Sequence, residues 1–373
     1  MIRIYRSVAI ILVAMLLCCA CGESKQTSGP EPVEKKEYQE KLDMLRPMLY
    51  GEIEHLNPEP GTYISIIGRS SGDSFWDQIQ AGAQQAVDDL NEKLEYTGKD
   101  KITLRYVAPK ERDNVDEQIN ILDEELANSP IAIGIAAVDA TACMTQFDYA
   151  KEYGIPIVMF DSGTEYQDVA ATCATDNLDA ARTAADQLAA AIGGSGEIAV
   201  FVQDAVSMTA GDREKGFLER IESAYPDIIV KAVYHYDELQ KLAKEVAREK
   251  ELEVGEVTQD DVVGYLLEQH PDLKGVFTAN LDVTQHVVDV LDTVGLTDLK
   301  VVGFDGGSEQ MGLLEEGKVE GLIVQNPFGM GYRTVVAIIR AAYDMGNEIS
   351  IDSGYVWVSR ENMNDEEIVG VLY

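Results

Sequence analysis

Residues 63–94 read YISIIGRSSGDSFWDQIQAGAQQAVDDLNEKL, and their pattern recurs along the chain. The apolar run at 63–67 fits a buried strand. A turn rich in Gly and Ser follows, and then Trp76, Ile79, Ala83, Ala86 and Leu90 recur at helical spacing. The same alternation predicts strands at 102–107, 131–136 and 155–160, and helices at 113–128 and 140–153. Continuous apolar strands separated by helices imply a parallel sheet covered on both faces.

The pattern restarts at Asn177. Helices are expected at 177–192, 213–225, 259–269, 284–294 and 330–345, with a long polar helical stretch at 238–253. Strands are expected at 197–202, 228–234, 275–278, 299–304, 321–324 and 355–358. Two α/β units of similar size fit a chain of 373 residues. They predict two Rossmann-like lobes with a ligand cleft between them, because ligands of such sheets sit outside the carboxyl ends of the strands.

That rule selects the residues just after each strand. They include the loop 69–76, Asp161-Ser162-Gly163, the loop 203–212, Asn280, Asp305-Gly306-Gly307 and Gln325. Asp, Asn and Gln are acceptors, or paired donors and acceptors, that suit hydroxyl groups. Phe75, Trp76 and Phe304 offer flat apolar faces for sugar C–H surfaces. The set describes a neutral polyhydroxylated ligand, not a reaction. Each residue also has a purely structural reading: Phe75 and Trp76 as core, Asp161 and Asn280 as caps, Asp305 as a turn residue, Gln325 as a hinge residue, Arg213 as a surface ion-pair partner.

Composition narrows the classes. Asp and Glu number 66 against 30 Lys and Arg, a formal charge of −36. Phosphate binding needs a dense basic footprint, so nucleic acid is excluded as a partner. Charge would not hold the chain to an anionic membrane either. The four histidines (His55, His235, His270, His286) form no HExxH or similar ladder, so no metal site is expected. No GxSxG elbow, Walker loop or GxGxxG follows a strand, and no cofactor is expected.

Residues 1–20 read as an address. Arg3 and Arg6 precede ten uninterrupted apolar residues at 8–17, too few for an ordinary membrane span. Ala20 before Cys21 resembles a bacterial lipobox, with Cys18 where that motif usually has Leu. Cys21 is the expected lipidation site, and a plain signal peptide is the alternative. Residues 21–61 are expected to form a tether and a short helix, the latter on the domain or in the stalk. Cys143 and Cys173 could pair or remain two thiols.

The chain resembles the periplasmic sugar-binding proteins of ABC importers, the ribose-binding-like group of type I solute-binding proteins. The matching stretches include 70–76 with Ala81-Gly82-Ala83, 154–163, Ala174-Thr175-Asp176-Asn177, 213–217, 275–280, 301–306, 324–330 and 355–362, in family order. The resemblance implies a type I periplasmic binding protein: two lobes joined by three hinge strands. It places 62–176 with 326–352 in an N-terminal lobe, and 177–325 with 353–373 in a C-terminal lobe.

It also implies ligand contacts at Asp73, Phe75, Trp76, Asp161, Asn280, Phe304, Asp305 and Gln325, and Ser162 and Arg213 are candidate ligand-binding residues beside them. Ser162, Ala136 and Gly211 stand where the ribose group has Arg, Asn and Arg, and Arg213 lies two residues from the last. Losing those donors argues against ribose itself. Residues 238–256 look like an insertion. The expected protein is a monomer and not an enzyme. It is exported and anchored to the membrane only through Cys21, and it delivers a sugar or polyol to an ABC permease. A sensor presenting its ligand to a histidine kinase or chemoreceptor is the alternative; a glycosidase acting through paired carboxylates is a third class. Asp305→Ala is expected to abolish binding and to leave melting near wild type.

Overall fold

The computed structural model describes residues 36–373, and residues 38–373 form one compact unit. The expected signal sequence, Cys21 and the start of the expected tether lie outside the described residues. The first elements are α1 (Gln39–Asp43), β1 (Tyr63–Ile67), α2 (Ser74–Lys93), β2 (Thr103–Val107) and α3 (Val115–Ala127). Then come β3 (Ile133–Ile135), α4 (Met144–Tyr153), β4 (Ile157–Phe160) and β5 (Ala171–Ala174). The second run is α5 (Asn177–Ala191), β6 (Gly196–Val202), α6 (Met208–Ala224), β7 (Ile228–His235), α7 (Ala243–Lys250) and α8 (Gln259–Glu268). It continues through β8 (Leu273–Thr278), α9 (Leu281–Val294), β9 (Lys300–Phe304), α10 (Ser308–Glu316) and β10 (Gly321–Gln325). The chain finishes with α11 (Pro327–Ala342), β11 (Ser350–Asp352), β12 (Tyr355–Val358) and α12 (Glu366–Val369).

The strands form two six-stranded sheets, ordered β11-β5-β4-β3-β1-β2 and β12-β10-β9-β8-β6-β7. All pairs are parallel except β10 with β12. This is the expected architecture of two Rossmann-like lobes. Each lobe buries its own apolar core, with α2 and α11 covering one face of the first sheet and α5 and α6 one face of the second.

Helices α2 and α11 touch backbone to backbone. A Cβ on Gly82 would stand 1.9 Å from the Phe328 carbonyl oxygen, and one on Gly331 would stand 2.0 Å from that of Ile79. Gly82→Ala is therefore expected to cost about 3 kcal/mol, since a tightly packed core cannot give way cheaply. An unchanged urea midpoint would refute that packing.

The chain passes between the sheets at Thr175-Asp176, Gln325-Asn326 and Ser353-Gly354, and the three passages hold one another. The Asp352 carboxylate accepts from the backbone N–H groups of Asp176 (3.1 Å) and Gly354 (2.9 Å), and Asn326 Nδ2 donates to the Ser353 carbonyl at 3.1 Å.

Two expectations change, and a third gains detail. The short helix expected before residue 61 is α1, and a 3₁₀ turn at Met48–Gly51 follows it, with Pro47 between them. This segment lies on the domain: Leu42, Leu45, Tyr50 and Leu56 join the core under α11. Arg46 and Asp352 exchange two backbone hydrogen bonds of 3.0 Å. The polar stretch 238–253 breaks into a 3₁₀ segment and α7, which ends at Glu251 in the left-handed region. Strands β5 and β11 and helix α10 lie where no element was expected. Cys143 and Cys173 are both free and buried.

Candidate ligand cleft

Parallel strands aim their carboxyl ends the same way, so the loops after them meet at one place. Here the loops of both sheets enclose a cavity of about 490 Å³. Asp73, Phe75, Trp76, Asp161, Arg213, Asn280, Asp305 and Gln325 all line it. Ser162 and Phe304 do not: both are fully buried behind the wall.

The two lobes repeat one device. β4 runs into Phe160-Asp161-Ser162-Gly163 and β9 into Phe304-Asp305-Gly306-Gly307. Asp161 and Asp305 both adopt positive φ, 54° and 73°. That region costs a non-glycine residue roughly 1–2 kcal/mol and turns the side chain out of the strand's path. Each backbone N–H is tied to a neighbouring strand, Asp161 to the Cys173 carbonyl (3.0 Å) and Asp305 to that of Ile323 (2.8 Å). The device thus puts one carboxylate from each lobe against the cavity.

The two carboxylates differ in their partners. Asp305 accepts from the Leu281 N–H (2.9 Å), Gln325 Nε2 (2.6 Å) and the Tyr373 hydroxyl (3.2 Å). Gln325 in turn accepts from Thr175 Oγ1 at 2.9 Å, which links the cleft to the passages between the sheets. Asp161 is 8% exposed, and its carboxylate has no hydrogen bond or ion pair among the described residues. Burial pushes it up to about 6; Arg69 and Arg213 oppose that rise, and Asp305 and Asp113 add to it.

Arg213 lies on α6 and is buried. Its Nε donates to Asn177 Oδ1 (2.8 Å) and its Nη1 to the Ala279 carbonyl (2.7 Å). Burial lowers its pKa, with Asp305 and Asp161 acting the other way. The guanidinium stands 4.0 Å from the Phe304 ring centroid, so Phe304 supports the arginine from below. Asn280 and Asp73 combine two positions: each caps a helix, accepting from the N–H of Val283 (2.9 Å) and Trp76 (3.1 Å), and each lines the cavity. Phe75 and Trp76 meet edge-on at 5.3 Å.

Several lining residues were not named from the sequence, although Arg69 and Gln203 lie in the selected loops 69–76 and 203–212. Arg112 pairs with Asp73 on its own lobe and with Asp282 on the other. Arg69 bonds Asp113 through Nε at 2.8 Å and reaches Asp204 of the other lobe at 3.6 Å. Burial pulls Arg69 down, but Asp113, Asp161 and Asp204 more than offset it. Gln203 Oε1 and the Tyr236 hydroxyl are buried without partners, and both residues line the cavity. Arg69 and Gln203 lie one or two places after a strand, where the strand-end rule reaches. Arg112 carries no such signal.

Hydrogen-bonding groups without protein partners, set beside aromatic faces, suit a hydroxyl-bearing ligand. No histidine lines the cavity. Among the described residues no group of three or more His, Cys, Asp or Glu is placed to hold a metal ion.

A family model described as periplasmic binding protein domain matches residues 64–345. The chain is 22% identical to the ribose import binding protein of Escherichia coli over 272 residues, covering 73% of this chain and 82% of that one. It is 23% identical to a xylitol-binding protein of Mycolicibacterium smegmatis over 256 residues, 67% of each chain. A carbohydrate transporter solute binding protein from Agrobacterium radiobacter, solved in complex with D-arabinose, superposes with a TM-score of 0.71 at 26% identity. The match covers 84% of this chain and 99% of that one. These relatives are binding proteins and not enzymes. With the family model spanning most of its length, the chain belongs to the periplasmic binding protein family.

Proposed function

We propose that the protein captures a sugar or polyol in the cleft and delivers it to an ABC importer. The observation that carries this reading is the Asp161 carboxylate, which lines the cavity and accepts no hydrogen bond from the described residues, beside the buried, unpaired Gln203 Oε1 and Tyr236 hydroxyl. Buried polar groups are satisfied in folded proteins, and vicinal hydroxyls of a sugar would satisfy these. The named relatives, which bind ribose, xylitol and D-arabinose, support the same class.

Asp161, Arg213, Asn280 and Gln325 would take ligand hydroxyls, and Trp76 with Phe75 would pack on the ring. Phe304 and Ser162 act behind them. The chain would work as an exported monomer held to the membrane by acyl chains on Cys21, a role supported by the basic start and apolar run of residues 1–20. The lobes would close on the ligand about the three passages.

Titrating the protein with D-ribose, D-arabinose, D-fucose and xylitol while following the fluorescence of Trp76 and Trp357 tests the reading. A saturable change with at least one of them is expected. No response to any, or turnover of a glycoside, would sink it.

A further inference from the structure

The segment after β12 returns to the cleft. Met363 is buried in the second lobe's core, and Ile368, Leu372 and Tyr373 pack against it. This brings Tyr373 to the carboxylate that faces the cavity from that lobe. Its hydroxyl donates to Asp305 Oδ1 at 3.2 Å and accepts from the Gly306 N–H at 3.2 Å. Its ring meets that of Phe75, on the other lobe, at 5.9 Å and 65°. Tyr373 therefore stands behind the lining and touches one lining residue of each lobe, Asp305 and Phe75.

A carboxylate oxygen accepts about two hydrogen bonds. Oδ1 of Asp305 is filled by Gln325 and Tyr373, and Oδ2 already holds the Leu281 N–H. One acceptor position remains for a ligand. On Asp161 every position is open. We infer that Tyr373 is a specificity-determining residue of the proposed sugar site. It limits Asp305 to a single ligand hydroxyl, leaves the bidentate grip on a vicinal diol to Asp161, and backs Phe75 from behind the cavity lining.

The favoured ligand class is a sugar that offers adjacent hydroxyls to one lobe and a lone hydroxyl to the other. Taking the tyrosine away opens a second acceptor on Asp305, and taking its ring away also opens space. This inference rests on the sugar-binding reading, and the test separates the two. Dissociation constants are measured for D-ribose against 2-deoxy-D-ribose, and for D-galactose against D-fucose, pairs that differ by one hydroxyl. They are compared in wild type, Tyr373→Phe and Tyr373→Ala, with melting temperature as the check on folding. At least one pair is expected to change its affinity ratio tenfold or more in Tyr373→Ala, and in the same direction in Tyr373→Phe. Ratios unchanged in both variants, with binding intact, overturn the role of Tyr373 and leave sugar binding standing. No binding by the wild type overturns sugar binding itself, and this role with it.

Discussion

Asp161→Asn is expected to weaken ligand binding at least ~100-fold and to raise the melting temperature at pH 7. Two hydrogen bonds to a charged group contribute about 3 kcal/mol together, and 1.4 kcal/mol is tenfold in affinity. Asparagine keeps the shape and tolerates the positive φ of this position. It removes a buried charge whose desolvation outweighs the help it gets from Arg69 and Arg213.

The pH dependence follows from the same burial. The folded carboxyl sits at about 6, against roughly 3.9 in an unfolded chain. Between those values the native state holds more protons than the unfolded one, so this group's effect is to lower stability as pH rises from about 4 to 6. That component of the melting curve should vanish in Asp161→Asn. Ligand affinity should fall below about pH 6, because a protonated carboxyl loses acceptor capacity. Calorimetric melting and titration at a series of pH values check both. A variant that binds as wild type does removes Asp161 from the site.

Asp305→Ala should behave differently. It too should lose binding, but it should also lower stability by about 3–5 kcal/mol, since it strips a buried carboxylate from donors arranged around it. The Leu281 N–H, Gln325 Nε2 and the Tyr373 hydroxyl would all lose their acceptor. This replaces the expectation, drawn from sequence, that the substitution would spare melting. Urea denaturation of the two variants side by side is the measurement. Equal melting behaviour would mean that the contrast between the two lobes has been misjudged. One loop motif, used twice, thus gives two carboxylates with opposite signs of contribution to stability.

The alternation of strand and helix was legible because strands covered on both faces must be apolar throughout. β5 and β11 were not, since Ala-Thr-Cys-Ala and Ser-Ile-Asp carry no such run. Asp161, Asn280, Asp305 and Gln325 were legible because a parallel sheet fixes where its strand ends point. Arg112 and Tyr373 come from a long loop and from a segment beyond the last strand, and only tertiary packing brings them in. Phe304 carried the right residue type, but its ring faces the core beneath Arg213. Partners were the harder part to read: that Asp305 holds three hydrogen bonds and Asp161 none depends on contacts from distant segments.

The ion pairs that span the cleft mouth have a thermodynamic consequence. Arg112 to Asp282 and Arg69 to Asp204 form only while the lobes face each other. On the proposed hinge reading they bias the empty protein toward the shut conformation. The apparent dissociation constant of any ligand equals its intrinsic value divided by the competent fraction. The bias therefore multiplies every affinity by one common factor and leaves the ranking of ligands untouched. Because Arg112 is partly exposed, with a side chain 39% accessible, salt weakens that factor. Ionic strength would set how tightly the protein holds its ligands, while Asp161 and Tyr373 would set which ones it holds.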